Sequence, residues 1–232
     1  KSLVVDFQLL ARFNPELAEV IKTKPDEAID SAQEAVKRLN YQTLPGVFFK
    51  PYIRLANLDD ADKVLVQYLG AEHLDNLMCI EAVVTSISDI KPRMRKSHWK
   101  CLHCETTSVI PTDKIGLLAP PAVCSSAGCG RRDFKLLENE SEFVDMQSAQ
   151  VQDLVERSKG NAPASHVDLW LEEDLTNAVA PGDKVVLTGM LRLKPLPQGQ
   201  GKNKTSVYSK YVDVVHVQKM ERDFEEIDIT PA

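Results

Sequence analysis

Aromatic residues are scarce, at 6% of 232. Long apolar runs are absent. The apolar runs present are short, such as Val185, Val186 and Leu187, far below the roughly 20 residues a membrane-crossing helix needs. No GxxxxGK[ST] loop, GxSxG elbow or HExxH pair occurs. The nearest phosphate-loop decoy runs from Gly199 through Gly201, Lys202 and Asn203 to Thr205. It lacks the first Gly at the needed spacing and has Asn after Gly-Lys, so it reads as a turn. His73, His166 and His216 stand alone, with no Cys or Ser at a motif spacing. Glu172, Glu173 and Asp174 read as an acidic turn. No nucleophile or acid–base constellation remains, which excludes a catalytic centre in this chain. The first residue is Lys1 and no charged n-region precedes an apolar core. That argues against a signal peptide and for a fragment of a longer chain.

A global positive charge is also missing, since the net charge is −6. The basic residues are concentrated instead. Residues 91–100 (KPRMRKSHWK) hold five Lys/Arg and no acid, and residues 190–212 hold Arg192, Lys194, Lys202, Lys204 and Lys210, again without an acid. The chain is therefore an acidic body with two local basic segments.

Helical spacing marks residues 14–39. Asn14 can cap, Pro15 takes the first helical position, and Glu16 complements the positive dipole end. Leu17, Val20 and Ile21 are expected on one packed face. Pro25 restarts a pattern that continues through Ala28, Ile29, Ala32, Ala35, Val36 and Leu39. After Pro45-Gly46 the character turns to β. Strands are expected over 52–58, 78–88, 91–100, 134–137, 143–156, 167–172, 185–192 and 207–219, with a short helix over 71–77. The APGD run at 180–183 is a tight turn, and residues 195–205 (PLPQGQGKNKT) form a long hairpin tip. Several short strands with one insertion suit a five-stranded OB-type barrel, and periodicity alone leaves a sandwich open. The fold class is mainly β with a small helical subdomain.

Five cysteines are present, four of them in two close pairs. Cys101-x2-Cys104 and Cys124-x4-Cys129 lie 19 residues apart. Gly128 and Gly130 permit a tight backbone beside Cys129. Four thiolates fill a tetrahedron around one Zn2+ and leave no open position, so the ion is structural. The soft ligands exclude magnesium, and no cofactor motif accompanies an iron alternative. Cys79 falls in an apolar strand and reads as a buried structural thiol.

Three further strings carry a resemblance. Residues 171–192 (LEEDLTNAVAPGDKVVLTGMLR) resemble a signature of the minichromosome maintenance (MCM) family. Residues 211–217 (YVDVVHV) resemble the strand after that family's N-terminal hairpin. KSLVVDF followed by NPELAEVI resembles its helical subdomain, and the two cysteine pairs resemble its N-terminal zinc motif. The resemblance runs across nearly the whole chain and covers the N-terminal half of the family only.

It implies a helical subdomain A over 1–45, an OB-fold over 46–97 and 137–222, and a zinc insertion over 98–136. A linker over 223–232 would lead to an absent ATPase half that binds ATP and Mg and makes the full-length protein a helicase. It also implies hexameric rings, head-to-head double hexamers, contacts with other replication-fork proteins, and DNA in the central channel. The compartment would be cytoplasm and nucleoid in an archaeon or nucleus in a eukaryote, without secretion. Lys202 and Lys204 would tip the DNA-binding hairpin at 193–206, with Arg192, Lys194 and Lys210 on its stem and Arg93, Arg95 and Lys96 as a second contact. Ser86 and Gln150 stand where many family members carry Arg or Lys for single strands, which gives duplex binding more weight. Residues 155–167 occupy the place of a signalling loop but lack its Pro-Arg ending. Phe48, Phe49, Tyr52, Tyr208 and Tyr211 are candidates for base stacking. The rival reading is a free-standing zinc OB-fold single-strand binder of the replication-protein-A kind.

Overall fold

The structure is a computed structural model. It describes residues 2–38, 52–112, 118–154, 165–195 and 207–220. The chain divides into two compact units, Lys1–Ser88 with Ser148–Ala232, and Asp89–Gln147.

The first unit opens with β1 (Ser2–Asp6), α1 (Phe7–Phe13), α2 (Pro15–Thr23) and α3 (Pro25–Arg38). Caps set the helix starts. Asp6 accepts from the Leu9 amide at 3.1 Å, and Asn14 accepts from the Leu17 amide at 3.1 Å, so each covers one of the donors a helix start leaves unpaired. The buried face of α2 differs from expectation. Ala18 and Ile21 are buried, while Leu17 and Val20 are exposed. With only nine residues in α2, the apolar pattern admits two neighbouring faces, and packing chose the one centred on Ala18.

β1 pairs in parallel with β2 (Tyr52–Ala56). Five strands then close a barrel. β3 (Leu77–Ile87) pairs antiparallel with β9 (Lys184–Pro195), β9 antiparallel with β10 (Tyr208–Lys219), and β10 parallel with β8 (His166–Glu172). β8 neighbours β7 (Glu142–Asp153), whose second half returns to β3. Strand alternation splits the apolar residues in two. Met78, Ile80, Ala82 and Val84 of β3 join Leu187, Leu191, Val212 and Val214 inside the barrel. Leu77 and Cys79 point outward and, with Met190 and Val215, receive Phe7, Ala18 and Ile21 from the helices. A fully buried side chain of this kind contributes about 1.5–3 kcal/mol. The expected turn at 180–183 is present: Gly182 has φ 90°, and the Asp183 amide donates to the Ala180 carbonyl at 3.1 Å. The expected helix at 71–77 is a single 3-10 turn, Ala71–His73.

The second unit is built on β4 (Lys91–Cys101). β5 (Thr107–Pro111), β6 (Phe134–Leu136) and the first half of β7 all pair with it antiparallel. β5 lies within a stretch whose sequence shows no long periodic run, so its pairing with β4 is what makes it a strand.

Candidate metal centre and nucleic-acid interface

The four paired cysteines meet. The sulfurs of Cys101, Cys104, Cys124 and Cys129 all lie within 4.8 Å of one another. Cys101 and Cys129 are 3.8 Å apart, and Cys104 and Cys124 are 3.4 Å apart. A tetrahedron with zinc–sulfur bonds of about 2.3 Å places its sulfurs roughly 3.8 Å apart, so the thiols fit that ion. Two backbone knuckles bring them there. The Glu105 amide donates to the Cys101 carbonyl at 3.1 Å, with Glu105 at φ 58°. The Cys129 amide donates to the Ser126 carbonyl at 3.2 Å, and Gly128 and Gly130 at φ 84° and 57° turn the chain on either side of Cys129. Gly meets that left-handed backbone without a Cβ penalty.

Charge argues the same way. The Thr106 hydroxyl, 3.3 Å from Sγ, is the main reason the Cys104 thiol is brought down to about 6. Against a lowering backbone contact from Ser126, burial and then the neighbouring thiols push the Cys124 thiol up. A divalent ion bound by the four sulfurs would hold them deprotonated. Four cysteines so placed could hold a zinc ion. Trp99 is buried in this unit, and its indole donates to Ser97 Oγ at 3.0 Å. Cys79 lies elsewhere, buried, and burial raises its thiol to about 11. That suits an inert thiol.

The basic candidates are distributed differently from their order in sequence. Lys202 and Lys204 lie outside the described residues. The β9–β10 ladder runs out to Pro195 opposite Tyr208, so their segment connects two paired strands. On this ribbon Arg192 stands opposite Tyr211 and Lys194 opposite Ser209, which puts Arg192 and Lys194 on one face. Lys210 stands opposite Leu193 and takes the other face. Each has a protein partner. Arg192 binds Asp26 and Asp75. Lys194 pairs with Asp168 at 3.1 Å, and Lys210 donates to the Leu69 carbonyl at 2.7 Å. Arg93, Arg95 and Lys96 are half-buried on β4, and Lys96 pairs with Glu142 at 3.0 Å.

Tyr211 is buried and stacks on Trp170 with ring centroids 4.2 Å apart, so it belongs to the core. Tyr208 is exposed, Tyr52 half-buried, and Phe48 and Phe49 lie outside the described residues. Ser86 and Gln150 do come together, as register partners on β3 and β7.

Sequence reasoning missed Arg54. It is buried, donates to the Val215 carbonyl at 2.9 Å and pairs with Asp174. Its position inside a five-residue apolar strand was the one available signal.

Fold and site together define a class: a closed five-stranded OB barrel whose chain carries, between two barrel strands, a unit with four clustered thiols. Residues 65–195 match the family model described as the MCM OB domain. The chain is 28% identical over 214 residues to DNA replication licensing factor MCM4 of Drosophila melanogaster, which covers 91% of this chain and 24% of the relative. It is 23% identical over 252 residues to minichromosome maintenance protein MCM of Saccharolobus solfataricus, covering 99% and 34%. The crystal structure of the N-terminal domain of an archaeal MCM superposes with a TM-score of 0.76 at 22% identity, covering 95% of this chain and 87% of that one. The chain belongs to the MCM OB domain family. It spans about a quarter of the length of the Drosophila relative. Among the described residues no helix is long and apolar enough to cross a membrane.

Proposed function

We propose that this chain is the DNA-binding and ring-forming N-terminal domain of an MCM replicative helicase. The β9–β10 ribbon carries the reading. Its paired strands frame residues 196–206, a segment with Lys202, Lys204 and no acid. Such a lysine-bearing ribbon contacts phosphates without regard to sequence. The chain itself does no chemistry. ATP hydrolysis with Mg, and the unwinding it drives, belong to parts of the protein that this chain does not cover. Cys101, Cys104, Cys124 and Cys129 hold one structural zinc that orders the second unit. Arg93, Arg95 and Lys96 form a second basic stretch beside it. The barrels assemble as hexamers, and two hexamers meet head to head. The helical subdomain over 1–45, the barrel over 46–97 and 137–222 and the zinc insertion over 98–136 are the working parts.

Burial of Tyr211 against Trp170 weighs against the stacking-driven single-strand binder. Lys202→Ala with Lys204→Ala tests the reading. Binding to DNA should weaken, and the slope of log K against log salt should flatten by about 0.9 for each lost contact. A slope equal to wild type would move the DNA elsewhere on the protein.

A further inference from the structure

Arg192 lies in a basic stretch of sequence, yet its guanidinium is already occupied. Nη1 donates to Asp75 and Nη2 to Asp26. The two acids come from separate parts of the chain. Asp26 is in the first turn of α3, and Asp75 sits just before β3. Asp75 is fixed by its backbone: it has φ 61°, and its amide donates to the Leu191 carbonyl at 3.0 Å. The arginine side chain is 18% exposed, against 54% for Asp26 and 71% for Asp75. The cation is therefore sunk and the anions are at the rim. One positive and two negative charges leave a local negative excess, which repels an approaching phosphate. Lys194, two residues further along the same face, is likewise covered by Asp168.

Such partly exposed pairs are weak and screened by salt. The non-bridging oxygens of a phosphodiester accept from a guanidinium as carboxylate oxygens do. Exchange of one anion for the other therefore costs little, and the direction is set by which is present at higher local concentration.

We propose that Arg192 is a positioning residue that links the helical bundle to DNA binding. Without DNA it pins the first turn of α3 to the stem of the β9–β10 ribbon. A backbone phosphate of DNA lying along the ribbon displaces Asp26 and frees that turn. The inference rests on the DNA-binding reading above. Linkage makes the effect reciprocal, so whatever loosens the first turn of α3 tightens DNA binding by the same factor.

The test uses the whole chain, loaded with zinc, and a short DNA duplex. Asp26→Asn with Asp75→Asn removes both acceptors at nearly constant shape, and Asn tolerates a left-handed backbone as well as Asp does. Binding at about 0.1 M salt should tighten roughly fivefold, within the ordinary range of coupling. The salt slope should stay close to wild type, because Arg192 meets the same phosphate in both proteins. Glu16→Gln with Asp30→Asn makes the same change of charge elsewhere on the bundle and should tighten binding much less. Adding Arg192→Ala to the Asn pair should abolish the gain, and Arg192→Lys should restore part of it. In wild type, DNA should speed amide exchange at residues 26–29. The inference is overturned by wild-type affinity in the Asn pair, an equal gain in the charge control, a gain that survives Arg192→Ala, or exchange at 26–29 that DNA leaves unchanged. A wild-type chain that is folded and zinc-loaded but binds no DNA sinks the DNA-binding reading instead, and this inference with it.

Discussion

Gly189→Ala should loosen the barrel, and the structure sets the size of the effect. Gly189 lies on β9 between the inward-facing Leu187 and Leu191, directly opposite Val214. A Cβ placed there would stand 2.7 Å from the Asp213 carbonyl oxygen, 2.7 Å from Val212 Cγ1 and 3.3 Å from Val214 Cα. Ordinary contact begins at 3.4 Å, so β10 or Val212 must give way by roughly 0.7 Å. Neither has room, because Val212 is wholly buried and Asp213 and Val214 nearly so. Overpacking of this kind costs about 1–3 kcal/mol. Loss of the glycine's chain entropy in the unfolded state returns about 0.5–1 kcal/mol. The net destabilisation is about 1–2 kcal/mol, or a fall in Tm of roughly 2–8 °C for a domain of this size. Only two tryptophans are present, and they divide between the units, Trp170 in the first and Trp99 in the second. Thermal unfolding followed by Trp170 emission in a Trp99→Phe background isolates the barrel. A Tm for Gly189→Ala equal to or above that of the parent would refute the close approach of β9 and β10.

Two further outcomes follow from the same geometry. Stripping zinc with a chelator under reducing conditions should shift Trp99 emission to the red and leave Trp170 unaltered in the complementary single-tryptophan proteins, since the four thiols all lie in the second unit; unchanged Trp99 emission in metal-free protein would show that the unit needs no ion. Burial first, and the nearby Arg54 next, lower the pKa of His216 below 6.5, against a smaller opposing pull from Asp174. The unfolded chain then binds the extra proton more readily, so stability present above about pH 6.5 falls as pH drops through that value towards the folded pKa. His216→Gln should flatten urea midpoints measured across that window, and an unaltered pH dependence would assign the effect to other groups.

The parts of the fold legible in sequence were those written locally. Asn14-Pro15 announced the start of α2, and Ala180 to Asp183 announced a turn that its own amides close. The cysteine pairs were legible because ligand spacing is itself local chemistry. What sequence left open depends on partners far along the chain. β1 becomes a strand by pairing with β2, about fifty residues away, and β5 by pairing with β4. The basic candidates show the limit most clearly. Arg192 and Lys194 stand out as a positive stretch, but the carboxylates that cover them lie 166, 117 and 26 residues away in sequence. Charge counted along the chain missed those partners, which the fold supplies.

DNA affinity as a function of salt is the measurement closest to the central claim. The zinc-loaded chain is titrated into labelled duplex and single-stranded oligonucleotides between about 50 and 200 mM salt. Unrelated sequences should bind with similar strength, and log K should fall in a straight line with log salt, with a slope that counts several phosphate contacts. Folded, metal-loaded protein that leaves both oligonucleotides free at the lowest salt, or binds them with no dependence on salt, would contradict it.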